Sequence, residues 1–295
     1  MQVAQVGSSS VIAVEGPGGS LLYYWQPIGS QQWNQEIVLR PGSGFTCSGP
    51  SVAQVGDSSV IAVQGNQAGP SMPGQGDGDN FLVFFWQPIG SQQWNQESVA
   101  GYGTTFSAPS VAQVGNSTVI AVQGPGNSLQ FHGQPIGSQV WTREIVADPG
   151  SAFSAPSVAQ VGNSTVIAVE GPDGQLQFYW QPIGSQQWNL EVVADPGSAF
   201  STPSVAQVGN STVIAVQGPD GQLQFYWQPI GSQQWNLEDV DAPERAFSAP
   251  SVAQVGNSSV IAVEGPDGSV LFYWQPIGSL QWTREAVAPA GTDTE

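Results

Sequence analysis

The chain has no lysine, one cysteine and one histidine in 295 residues. Its four basic residues are all arginine and stand against 22 acidic residues, for a formal net charge of -18. Such a surface repels phosphate backbones and anionic headgroups, which argues against nucleic acid and anionic membrane as partners. A single cysteine, Cys47, excludes an internal disulfide framework and a cysteine-rich metal centre. No apolar run approaches the roughly 18 residues of a spanning helix, so no membrane insertion is expected. Gly-rich phosphate loops, zinc spacings and nucleophile elbows are missing too, and no cofactor is expected. Charged residues make up only 9% of the chain, so solubility rests on Gln, Asn, Ser and Thr plus the acidic excess. A surface of that kind suits a glycan or another neutral polar ligand.

What the chain has is a repeat. The pentapeptide VAQVG begins at Val3, Val52, Val111, Val158, Val205 and Val252, at offsets of 49, 59, 47, 47 and 47 residues. A period of 40–50 residues built from short strands marks a β-propeller, because a lone blade cannot bury both its faces. The expected fold is all-β: a six-bladed β-propeller of four-stranded antiparallel blades, forming one domain over residues 1–295. The repeats fall at about 1–48, 49–107, 108–154, 155–201, 202–248 and 249–295. A parallel β-helix is the competing reading, but its coils are shorter and lack this hairpin chemistry.

The fourth repeat shows how one blade is cut. Gly and Pro punctuation predicts strands at Ser157–Val161, Thr165–Glu170, Gln175–Gln181 and Trp188–Val193. The turns between them are Gly162-Asn163, Pro172-Asp173-Gly174 and Pro182-Ile183-Gly184-Ser185. Val, Ile, Phe, Tyr and Trp fill the strands, as pleated buried surfaces require. The N-terminal VAQV belongs either to the first blade or, by strand exchange, to the last. Cys47 reads as a small half-buried residue in the first inter-blade loop. The first repeat starts at residue 3, which leaves no room for a signal peptide. The location is therefore open: either the protein is cytoplasmic, or a leader has been removed and it is secreted.

The pattern SAPSVAQV…VIAVEGPDGQLQFYWQ…GSQQWN runs through the six copies with local changes, and the first copy lacks its lead-in. It resembles the bacterial propeller lectins that bind fucose and related sugars and, more loosely, the tectonin-like propellers. Their repeats also run S-x-P-x-V, V-x-V-x-G-x-D-G-x-L, an aromatic strand, then G-S-x-x-W. The resemblance implies multivalent sugar binding in shallow sites at or between blades. Those bacterial lectins have seven blades where this chain has six repeats. The six-bladed fungal fucose lectins pair an Arg with a Glu beside an aromatic platform. Here Glu36, Glu97, Glu144, Glu191, Glu238 and Glu285 recur, but only Glu144 and Glu285 follow an Arg, at Arg143 and Arg284.

Two sets of tryptophan stand out among the eleven. Trp33, Trp94, Trp141, Trp188, Trp235 and Trp282 open the fourth strand in all copies and read as packing wedges. Trp25, Trp86, Trp180, Trp227 and Trp274 each follow an aromatic residue, namely Tyr24, Phe85, Tyr179, Tyr226 and Tyr273. An exposed ring stacks well on the apolar face of a sugar, so these pairs are the candidate ligand-binding residues; inter-blade core is the alternative. The third copy breaks the pattern with His132 and Gly133, and the second carries a long insertion over Asn66–Asn80. Together they suggest a distinct pocket between the second and third blades, with His132 and Gly133 as wall and the insertion as lid. Gln5, Gln54, Gln113, Gln160, Gln207 and Gln254 are expected on the innermost strands, lining a channel. The repeated Glu residues read as a polar outer strand or an acidic ring.

Three functions follow. The first is a multivalent, lectin-like binder. The second is a structural or interaction scaffold. The third is an enzyme with one differentiated site around His132, the only side chain that titrates near neutral pH. A sialidase-type arginine cluster is not available from arginines spread over four copies. A glycosidase pair is left open at Glu144 and Asp148.

Overall fold

Turn chemistry sets the strands. A computed structural model describes residues 2–67, 80–241 and 246–288. In the fourth repeat the strands are Ser157–Val161, Ser164–Glu170, Leu176–Pro182 and Asn189–Ala194. Each boundary lies within one residue of expectation. Gly162 turns the first hairpin at φ +55°, a left-handed value that costs glycine nothing. Asp173 holds φ +56° in the second turn, which short polar side chains tolerate best after glycine. In the third, Ser185 N donates to Pro182 O at 2.9 Å.

Four consecutive strands pair antiparallel in chain order, and all six sheets are built this way. The chain is a six-bladed β-propeller. Its first strand, Gln2–Val6, pairs with Ser9–Gly16, so the N-terminal VAQV belongs to the first blade. In every blade the fourth strand slips by one residue against the third. In blade four, Leu176 faces Ala194 while Gln177 faces Val192. Such a bulge twists the strand locally. The two middle strands of a blade are buried on both faces, with Thr165 to Val169 buried in succession. The fourth strand alternates between half-buried and exposed.

The blades group into two compact units, residues 1–151 with the first three and 152–295 with the last three. In the first unit, Val11, Ala13, Leu21, Ile61 and Phe85 pack blade one on blade two. Val60, Leu82, Phe84, Ile120 and Val122 pack blade two on blade three. In the second unit, Val166, Phe178, Ile214 and Tyr226 join blades four and five. Val213, Phe225, Ile261 and Tyr273 join blades five and six.

Polar motif residues stitch these joints. Gln54 Oε1 accepts from Gly7 N at 2.7 Å, and Gln113 Oε1 accepts from Gly56 N at 2.8 Å. In the second unit Gln207 and Gln254 accept in the same way from Gly162 N and Gly209 N. These glutamines therefore bridge blades, a role their expected place along a channel does not predict. The serine of S-V-A-Q-V does likewise: Ser157 Oγ accepts from Val205 N at 3.0 Å.

Two local expectations change. Cys47 is fully buried, within the long first strand of blade two, Phe45–Val55, and not half-buried in a loop. Burial first, and the Glu15 charge second, push its thiol up to about 12. The insertion of the second repeat lengthens a hairpin, with Asn66 opposite Asn80. Phe81 at its base meets Phe45 and Tyr102 edge-on, at centroid distances of 5.2 and 5.1 Å. Residues 68–79 of the expected lid lie outside the described residues.

Candidate functional site

Strand alternation decides which aromatic reaches a cleft. Successive side chains point to opposite faces. In Q-F-Y-W, Phe178 and Trp180 face the following blade, while Tyr179 faces the other way. Four equivalent clefts result, two in each unit. Blades one and two enclose about 310 Å3 and blades two and three about 410 Å3. Blades four and five enclose about 380 Å3, and blades five and six about 360 Å3. Trp25, Trp86, Trp180 and Trp227 are half-buried and each lines one of them.

The polar centre of each cleft is a glutamate from the fourth strand, set opposite the first aromatic of the motif, as Glu191 is opposite Phe178. Glu191 Oε2 accepts from Gln228 Nε2 at 3.2 Å and from Trp235 Nε1 at 3.0 Å, both on the following blade. Glu238 accepts from Gln275 at 2.9 Å and Trp282 at 3.0 Å. Glu36 accepts from Gln87 at 3.1 Å and Trp94 at 3.0 Å. Glu97 accepts from Gln134 at 2.8 Å and Trp141 at 3.0 Å, and its Oε1 also accepts from Trp86 Nε1 at 3.0 Å. Of the fourth-strand tryptophans expected as wedges, Trp94, Trp141, Trp235 and Trp282 pack edge-on against an aromatic of the preceding blade, whereas Trp33 is 43% exposed. Trp235 meets Phe178 edge-on at 5.1 Å, and Trp282 meets Phe225 at 5.0 Å. These four glutamates are cleft residues; a polar outer strand does not describe them.

The aromatic partners of the candidate tryptophans lie elsewhere. Phe85, Tyr179, Tyr226 and Tyr273 are almost wholly buried in blade packing. Tyr179 donates to Gln177 Oε1 at 2.9 Å and Tyr226 to Gln224 Oε1 at 3.0 Å. Burial first, and Asp239 second, raise the Tyr226 phenol to about 12. Tyr24 is half-buried, and its hydroxyl accepts from Gln35 Nε2 at 3.0 Å. Trp274 is half-buried in the third strand of blade six, Val270–Pro276.

His132 and Gly133 do not share a wall. His132 pairs with Ile120, which packs between blades two and three, while Gly133 takes the opposite face, where the other blades carry tryptophan. His132 is 2% exposed and is not among the cleft residues. Burial, with the Arg143 cation second, pushes its imidazole down to about 4. It occupies the tyrosine position, yet its Nε2 and the neighbouring Gln130 Oε1 are both buried without a partner. Among the described residues, no three His, Cys, Asp or Glu side chains come together to hold a metal.

The residues missed from the sequence are the glutamines of W-Q-P and the Ser or Thr of the second strand, among them Gln228, Gln275, Thr212 and Ser259. One signal was present. Glutamine precedes this proline in all six copies, even where His132 and Gly133 replace the aromatic pair.

A family model described as outer membrane protein assembly factor BamB matches residues 85–293. No curated protein matches the chain in sequence. Among solved structures, the chain is similar to a six-bladed fungal lectin from Aleuria aurantia. That match has 15% identity and a TM-score of 0.67, over 99% of this chain and 95% of the lectin. AofleA from Arthrobotrys oligospora matches at 12% identity and a TM-score of 0.67, over 98% and 86%. Trypanosoma rangeli sialidase matches at 11% identity and a TM-score of 0.64, over 94% of this chain but 54% of the enzyme. At these identities the likeness is one of fold.

Proposed function

We propose that this chain, which belongs to the family described as outer membrane protein assembly factor BamB, is a multivalent carbohydrate-binding propeller. The observation that carries the reading is the fourfold recurrence of one cleft. In each, a tryptophan face stands beside a glutamate, a buried glutamine and a Ser or Thr. An indole offers a flat apolar wall to a pyranose, and the polar set fixes its hydroxyls. Weak single sites repeated on one body give strong avidity for a branched or surface-bound glycan. The fucose named for the similar Aleuria aurantia lectin is one sugar to try. Glycan-array hits sharing one terminal sugar, followed by calorimetry with a stoichiometry well above one, are the expected result. No heat with any sugar would refute it.

The family match favours a second reading, a scaffold that binds protein partners during outer-membrane assembly. A blank array, together with co-purification of an envelope protein that survives mutation of all four cleft tryptophans, would select it.

A further inference from the structure

We propose that the clefts take sugars bearing a protonated amine, 2-amino-2-deoxyhexoses, in preference to neutral or acidic ones. This rests on the carbohydrate reading above and goes beyond it.

The argument is a count of donors and charges. The two N–H groups nearest each carboxylate, from glutamine and tryptophan, are already spent on its Oε2. Among the described residues the bonds to Glu36, Glu191 and Glu238 all fall on Oε2, leaving Oε1 open to the cleft, and Gln87 Oε1 beside Glu36 is a buried acceptor without a partner. The polar centre is therefore short of donors. A hydroxyl brings one, whereas an ammonium brings three and accepts none.

Charge points the same way. No Arg or His lines any of the four clefts, and that of blades two and three adds Asp57 to Glu97. Among the described residues none of the four glutamates is joined to an arginine, and Arg284 pairs instead with Asp241. A neutral ring seated in the cleft would strip water from a carboxylate and return no countercharge, a cost that a cation offsets. The tryptophan wall adds cation–π attraction. The net charge of -18 draws cations from a distance and repels acidic sugars.

The test uses three β1,4-linked disaccharides that differ at carbon 2: the glucosamine dimer, its di-N-acetyl form and cellobiose. Each is titrated into the full chain by calorimetry at about pH 6 and low salt. The glucosamine dimer should bind at least about tenfold tighter than cellobiose. That margin should shrink in about 0.5 M salt and when pH rises past the amine pKa. Equal or weaker binding of the amine overturns this inference and leaves the carbohydrate reading standing. Failure of all three disaccharides and of every arrayed sugar overturns both. n-Butylamine competing as well as the glucosamine dimer overturns the assignment to a sugar. Glu191→Gln keeps the shape of one cleft, and it should cut the number of amine-selective sites by one. If amine selectivity is undiminished by glutamine at all four glutamates in a protein with wild-type circular dichroism, the carboxylates are not its source.

Discussion

Replacing His132 by Tyr should stabilise the protein, and more so in acid. Blades four and five carry Tyr179 and Tyr226 at this position, each donating to a glutamine two residues earlier. Blade three has the glutamine, Gln130, but its Oε1 is buried and unpaired beside the unpaired His132 Nε2. An unsatisfied buried polar atom costs about 1–3 kcal/mol. His132→Tyr supplies the donor, so a gain of about 1–2 kcal/mol is expected at pH 7 once the larger ring is accommodated. The acid effect has a separate origin. The folded imidazole is pushed down to about 4 from an ordinary 6.5. A group with a depressed folded pKa of this kind favours its neutral form when folded. As pH falls below 6.5 the unfolded chain takes up a proton that the folded chain refuses, so stability is lost between about 6.5 and 4. At 1.36 kcal/mol per unit the loss is about 2 kcal/mol at pH 5 and roughly 3 when complete. Tyrosine does not titrate there. Urea unfolding followed by tryptophan fluorescence, at pH 7 and pH 5, gives the difference between variant and wild type at each pH. Carboxylates titrate in both proteins and cancel. The gap should widen by about 2 kcal/mol on going to pH 5. An unchanged gap would show that His132 is not held neutral by burial, whatever the variant does at pH 7.

Other perturbations separate packing from binding. Glu191→Ala strands Gln228 Nε2 and Trp235 Nε1 in the joint of blades four and five. It should cost about 2–4 kcal/mol by urea unfolding, and Glu191→Gln clearly less, because one acceptor remains. Trp180→Ala removes a half-buried ring and should lower ligand stoichiometry by one site while the circular dichroism spectrum persists; global unfolding would make the ring a core residue. Gly133→Trp should be tolerated. A Cβ there meets only Phe131 Cε1 at 3.5 Å and Thr142 Oγ1 at 3.6 Å, and a large drop in melting temperature would contradict that room.

The fold could be read from the sequence because each turn has a local cause. Gly162, Asp173 and Gly184 mark positions of positive φ, and the strands between them fall where the apolar residues run. Strand alternation, visible in Q-F-Y-W, separates Trp235 and Trp282, wedged on Phe178 and Phe225, from Trp180 and Trp227, which line clefts. Two things could not be read. The first is the side of the sheet each residue takes relative to a neighbouring blade. That separates His132 from Gly133 and sends Tyr179, Tyr226 and Tyr273 into packing, away from any ligand. The second is pairing across blades. Glu191 and Gln228 stand 37 residues apart, and nothing local says that one carboxylate will receive donors from the next repeat.

That pairing also explains why the repeat unit keeps its polar residues where a purely apolar wedge would pack as well. Glu238 is bound by Gln275 and Trp282 of the following blade, so one carboxylate both closes the joint and charges the cleft. A copy that lost it would leave two N–H donors in the joint without their acceptor, one on a buried glutamine and one on a half-buried tryptophan, a cost of up to about 1–3 kcal/mol each. Stability alone therefore preserves the carboxylate. The tryptophan wall is held differently, by packing partly buried against the joint. Its indole nitrogen is bonded in Trp86, to Glu97, while Trp25, Trp180 and Trp227 line their clefts without an indole hydrogen bond. Hydrogen bonds across the joint hold the glutamate, and apolar packing holds the ring above it. In the third blade Gly133 occupies that ring position while Glu144 still stands across the strand from Phe131, which is the pattern expected if the two residues answer to different demands.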